Sequence, residues 1–290
     1  MASPLTVDGP QATLHTLNNA DGSATYSAPH HSYKIVAGVN YPVEVPYRSD
    51  ELPESTFVEV NLRPHNGVGM VKERHVEDLI KRTLQALVLG DETPRAMLQV
   101  TLQIVSVESD ESLPGGVKSG GQGETYLDML ASALNAAMLA CLDAGVQMRT
   151  IAGAAVIGLS RDGQIVVHPD VVQRQNSSSL HVFAFTQDGK TLLMESEGRF
   201  GMDHLKRAEH AARLAVVGQG RRATTNNNNN NKTNGRDATD ASEEATDANK
   251  LPNGDVAMNG TDHDVVTSVL DVMRKAMEAR VIKDESWRQD

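Results

Sequence analysis

Lys118 and Ser119 sit among glycines in Pro114-Gly115-Gly116-Val117-Lys118-Ser119-Gly120-Gly121, residue types that cradle phosphate when backbone N–H groups and an ammonium converge. A phosphate-binding P-loop needs glycine directly before its lysine and the lysine at a helix start. Neither holds here, and a flexible surface loop is the better reading. Histidines at 30, 31, 65, 75, 168, 181, 204 and 210 raise the possibility of a metal site. None pairs with a second His or Cys at ligand spacing, and His204 and His210 fall on different sides of their helix. Surface histidines are expected. Cys141 has no basic neighbour and lies in an apolar run, so it reads as a buried, inert thiol. Met129, Met138 and Met148 read as core filling.

The elements that would position such residues follow from periodicity. Val58, Val60 and Leu62 alternate with Glu59 and Asn61, and Leu98, Val100, Leu102 and Ile104 alternate with Gln99, Thr101 and Gln103, the pattern of half-buried strands. Between them Val76, Leu79, Ile80, Thr83, Leu84 and Leu87 recur at helical spacing, ended by Gly90-Asp91. The segment 126–142 is rich in alanine and predicts a buried helix. Short strands are expected over 152–159, 165–167, 179–185 and 191–196, with Asp162-Gly163 and Asp188-Gly189 as hairpin turns. A front meander is expected over 13–17, 24–26 and 34–39. The sum is an α+β fold, mixed sheets with helices between them.

Composition sets the organisation. The chain has 290 residues and a formal charge of −11, long enough for a substantial core and too acidic to suggest a free-standing nucleic-acid binder. One cysteine excludes an internal disulfide and fits a reducing compartment. No leader pattern and no apolar run of about 20 residues is seen, so a soluble intracellular protein without a membrane partner is expected. The asparagine run 226–231 and the Thr, Asp, Ala and Glu repeats around it lack large apolar residues and predict a disordered insertion. The expected plan is a disordered N-terminus over 1–11, a folded domain over 12–217, the insertion over 218–260, a helix over 261–283 completing the domain, and a tail over 284–290.

In order, Asp21-Gly22-Ser23-Ala24, Val39-Asn40-Tyr41-Pro42-Val43-Glu44-Val45, Val58-Glu59-Val60-Asn61-Leu62-Arg63-Pro64, Ile80-Lys81-Arg82-Thr83-Leu84 and Asn135-Ala136-Ala137 leading to Leu142-Asp143-Ala144-Gly145 resemble the RNase PH family. No single motif is specific, but their order and spacing together are. The resemblance implies a fold like ribosomal protein S5 domain 2 and a place in a hexameric ring of homologous subunits, that of the eukaryotic RNA exosome core. It implies partners too: the other RNase PH-like subunits, cap proteins, an associated nuclease and RNA. By the same implication the protein would serve rRNA maturation and RNA turnover in nucleus, nucleolus and cytoplasm.

Active members of the family use phosphate to release nucleoside diphosphates from an RNA 3' end, which calls for donors around phosphate and carboxylates for metal or acid work. Counted back from Asp143, the family's Thr-Arg pair falls on Met129 and Leu130. Its two aspartates fall on His168 and Arg174. The resemblance therefore implies lost phosphorolysis, with no catalytic residues, no metal and no cofactor. Asp170 is the carboxylate an active homo-oligomeric phosphorolytic exoribonuclease would need, and that is the alternative reading; as a stray Asp it fits a turn. A generic scaffold for RNA machinery outside the exosome is a third. Ring subunits of this kind present cations to RNA, and Arg63, Lys72, Arg74 and Arg82 would be the contacts. Glu73, Glu77 and Asp78 interleave with Lys81 and these cations, which favours an ordinary solvated helix face.

Overall fold

A computed structural model describes residues 9–107, 109–110, 117–118, 125–218 and 268–286. The first sheet contains strands β1 (Gln11–Leu14), β2 (Gly22–Ser27), β3 (Tyr33–Glu44), β4 (Phe57–Arg63) and β5 (Ala96–Val107), ordered β1-β2-β3-β5-β4. Its pairs are antiparallel except β4 with β5, which run parallel. A parallel pair needs a crossover, and helix α1 (Val71–Leu87) supplies it, laying Val76, Ile80, Leu84 and Leu87 into the core. The side chains of Leu98, Val100, Leu102 and Ile104 all point into that core, as alternation requires. β4 is an edge strand, and part of its edge is occupied: the Leu62 N–H donates to Glu77 Oε1 at 2.7 Å. Such a blunted edge resists unwanted pairing.

Helix α2 (Leu127–Asp143) contacts β2 and β3 and also touches strands β8 (Ala152–Ser160) and β10 (Ser177–Thr186) of a second sheet. This sheet is ordered β11-β10-β8-β9, with β9 at Ile165–Val167 and β11 at Thr191–Gly198, all antiparallel. Contact with both sheets explains the alanine content of α2, since every face must pass close to a neighbour. Gly22 is one such approach: a Cβ there would lie 2.2 Å from the Ala144 nitrogen. Asn135, buried in α2, ties the layers together. Its Oδ1 accepts the Ala154 N–H at 2.8 Å, while its Nδ2 donates to the Ala154 carbonyl at 2.9 Å and to the Tyr26 hydroxyl at 3.2 Å.

Helices α4 (Met202–Val217) and α5 (Val269–Asp284) complete this unit; α4 packs on β8, β9 and β10, and α5 on β1, β8 and α4. Asp143, at the end of α2, gathers the parts: its Oδ2 accepts the Ser23 N–H at 2.8 Å, and Arg280 of α5 approaches Oδ1 at 3.5 Å. The asparagine-rich stretch, residues 1–8 and most of the 114–121 loop lie outside the described residues.

The structure departs from the sequence reading in several elements. The first strand ends at Leu14, not residue 17, because His15 takes a positive φ of 54° and breaks the ladder. The α5 helix begins at Val269, where Ser268 Oγ caps it by accepting the Asp271 N–H at 3.2 Å. Where a loop was expected, a two-residue antiparallel ladder joins β6 (Ser109–Asp110) to β7 (Val117–Lys118). A short helix, α3 (Val171–Asn176), was missed altogether.

Candidate functional site

The helix α3 exists because its first turn is capped. Asp170 Oδ1 accepts the Val171 N–H at 2.8 Å, and the Gln173 side chain accepts the Asp170 N–H at 3.0 Å, a reciprocal arrangement that satisfies otherwise orphaned donors. Asp170 is thus held as an N-cap. The last turn of α3 then carries Arg174 to Asp128, in the first turn of α2, and an Arg174 Nη1–Asp128 Oδ2 ion pair forms with side chains 7% and 8% exposed. Charges so far from water depend on each other. The pair lies in the wall of a cleft of about 280 Å³ whose lining includes Thr125, Ser177, Ser179 and Glu197.

Met129 and Leu130 follow Asp128 directly but turn the other way. Successive helical residues are about 100° apart, so with Asp128 at the cleft these two enter the core, 3% and 0% exposed. Apolar and buried, they supply neither a hydroxyl nor a cation to an anion. His168 lines a second, narrow cavity with Tyr26, Asn135 and Asp128, in a left-handed conformation with φ 52°. Burial, reinforced by nearby His30, pushes its imidazole pKa down to about 4, so it is neutral at physiological pH. Of the four positions singled out in the sequence, the structure brings Arg174 and His168 to two cavities that share Asp128 and places Met129 and Leu130 in the core. Asp128 itself was missed. The signals for it were an acid at the start of an uncharged helix and a lone arginine after the Asp170-x-x-Gln173 cap.

The proposed RNA contacts spread over one edge of the first sheet and the α1 surface. Arg63 is exposed at the end of β4, Lys72 is half-buried, and Arg74 and Arg82 are exposed. Arg74 pairs with Glu77 at 2.9 Å and Arg82 with Asp78 at 2.7 Å, while Lys81 lies 4.8 Å from the centre of the Phe57 ring. The exposed Arg82–Asp78 pair contributes little to stability, Arg74 covers the buried Glu77 carboxylate that also accepts the Leu62 N–H, and together they balance the local charge. The α1 surface is a mixed-charge face.

Three histidines correct the expectation that all lie on the surface. His168 and His204 are half-buried, and His181 in β10 is 0% exposed. A buried imidazole is tolerated when both nitrogens find partners: Ser179 Oγ lies 3.0 Å from Nε2 and Ser196 Oγ lies 2.8 Å from Nδ1. Cys141 is fully buried, and burial pushes its thiol up to about 12. Among the described residues no group of three or more His, Cys, Asp or Glu is placed to hold a metal ion, and no helix is long and apolar enough to cross a membrane.

Residues 11–147 match the family described as "3' exoribonuclease family, domain 1", RNase PH. Over 202 residues, 67% of this chain and 84% of the relative, the sequence is 31% identical to exosome complex component RRP46 of Saccharomyces cerevisiae. The chain belongs to the RNase PH family. Another relative, human exosome complex component RRP41, is 27% identical over 71% of this chain and 80% of its own length. The crystal structure of rice (Oryza sativa) Rrp46 superposes with a TM-score of 0.58, at 23% identity over 73% of this chain and 90% of that one. The RNase PH fold is therefore present, with mixed sheets and helices in the α+β arrangement the sequence suggested.

Proposed function

We propose that this protein is a catalytically inactive subunit of the RNA exosome core ring, supporting 3'-to-5' RNA processing and degradation by the assembled complex. The observation that carries the reading is the Arg174–Asp128 ion pair. In the family register a cation stands where a metal-binding carboxylate is needed, and the Asp128 carboxylate it meets is held in an ion pair. Met129 and Leu130, in the core, leave the phosphate position without donors. The relatives named exosome complex components RRP46 and RRP41 support the placement in a ring.

Its partners are then homologous RNase PH-like subunits on either side, with cap proteins and a separate nuclease on the assembled ring, in nucleus, nucleolus and cytoplasm. RNA passing through the ring meets Arg63, Lys72, Arg74 and Arg82 through its backbone phosphates. Light scattering on size-exclusion fractions tests the assembly: a chain that joins a hexamer only with homologous partners fits the proposal, and a stable homohexamer contradicts it.

A further inference from the structure

The cleft holds a second set of groups that the ring role does not use. Three consecutive serines, Ser177, Ser178 and Ser179, open β10 along its wall. The first two donate their hydroxyls to backbone carbonyls, Ser177 to Gln173 at 2.7 Å and Ser178 to Leu159 at 3.2 Å. Ser179 instead meets an imidazole, His181 Nε2 at 3.0 Å, and the far nitrogen of that ring is held by Ser196 Oγ of β11 at 2.8 Å. A hydroxyl, a base within hydrogen-bond reach and a third group orienting the base is the arrangement that activates a serine nucleophile.

The surroundings suit the task. His181 packs edge-on to Phe200 with centroids 4.7 Å apart and lies near Phe183, and burial lowers its pKa, which keeps the ring neutral, with a nitrogen lone pair toward Ser179. Gly198 faces Ser179 across the sheet. A Cβ there would lie 3.0 Å from the Ser179 Cβ and 2.4 Å from the Ser178 carbonyl, so glycine keeps this wall open at φ +107°. The cleft pairs its arginine with Asp128 and adds Glu197, which disfavours anions and leaves a neutral acyl compound as the suitable occupant.

We propose that Ser179 is an acyl-accepting nucleophile activated by His181, acting on small neutral carboxylic esters bound in the cleft. Ser179 Oγ attacks the ester carbonyl carbon as its proton passes to His181 Nε2. The tetrahedral adduct expels the alkoxide, which takes that proton and leaves as the alcohol. Water, deprotonated by His181, then attacks the acyl-serine; the carboxylic acid leaves and the proton passes from His181 back to Ser179 Oγ. Ser196 is a positioning residue that holds the Nδ1 side of the ring.

The test uses the full-length chain with 4-nitrophenyl acetate, reading 4-nitrophenolate release and mapping acetyl groups by peptide mass spectrometry. Acetylation of Ser179 is expected in the native chain and not after unfolding in urea. Ser179→Ala should remove that adduct, Ser49→Ala, at an exposed serine outside the cleft, should leave it, and His181→Gln should slow its formation about 100-fold. Ser196→Ala should slow it less and move the imidazole proton between ring nitrogens by ¹⁵N NMR. Absence of acetyl-Ser179 in the native chain, equal labelling after unfolding, or an undiminished rate in a folded His181→Gln variant would each overturn the proposal.

Discussion

Arg174 and Asp128 stand 46 residues apart in sequence and meet as a buried ion pair joining α3 to α2. Removing one partner takes from the other the counter-charge it meets away from water. Arg174→Ala should therefore cost about 3–5 kcal/mol, read as a lower denaturation midpoint at unchanged m-value. An Arg174→Met, Asp128→Leu double variant should recover most of that loss.

Grafting the family's phosphate-binding pair should fail for a structural reason. Leu130 is fully buried, so Leu130→Arg forces a charge into the core at a cost on the order of 4 kcal/mol, whereas Met129→Thr should cost less. Thermal unfolding distinguishes them. Neither variant should gain nucleoside diphosphate release.

Asn135 satisfies both backbone groups of Ala154 and the Tyr26 hydroxyl. Asn135→Leu would strand a buried N–H and C=O together, and about 2–4 kcal/mol of stability should be lost. Hydrogen exchange should show the Ala154 amide losing protection.

His168 gives the acid side of the stability profile. Its folded pKa, about 4, lies below the ordinary value of 6.5, so the unfolded chain binds the proton more readily. The contribution is fully present above 6.5 and is lost as pH falls through about 4. NMR titration of the ring should show no protonation at pH 5.5. His168→Gln should flatten the fall in stability over that interval.

The sheets were legible in the sequence because alternation in Leu98, Val100, Leu102 and Ile104 reports burial residue by residue, and α1 because Val76, Ile80, Leu84 and Leu87 recur at helical spacing. α3 was not, since a helix of six residues has no room to show a period. Its cap, Asp170-x-x-Gln173, was the only local sign. The replaced positions Met129 and Leu130 could be named from spacing, but their turning into the core depends on contacts from both sheets. Asp128 escaped notice because its role is defined by a partner on another element. His181 was misjudged for the same reason: the hydroxyls that make its burial tolerable come from two strands.

Loss of phosphorolysis, proposed above for this RNase PH chain, is open to direct measurement. The direct measurement supplies the purified full-length chain with inorganic phosphate, a divalent metal and an RNA bearing a 3'-hydroxyl, and follows nucleoside diphosphate by chromatography. No release above a protein-free control is predicted. Release that disappears in an Asp170→Ala variant would contradict the account.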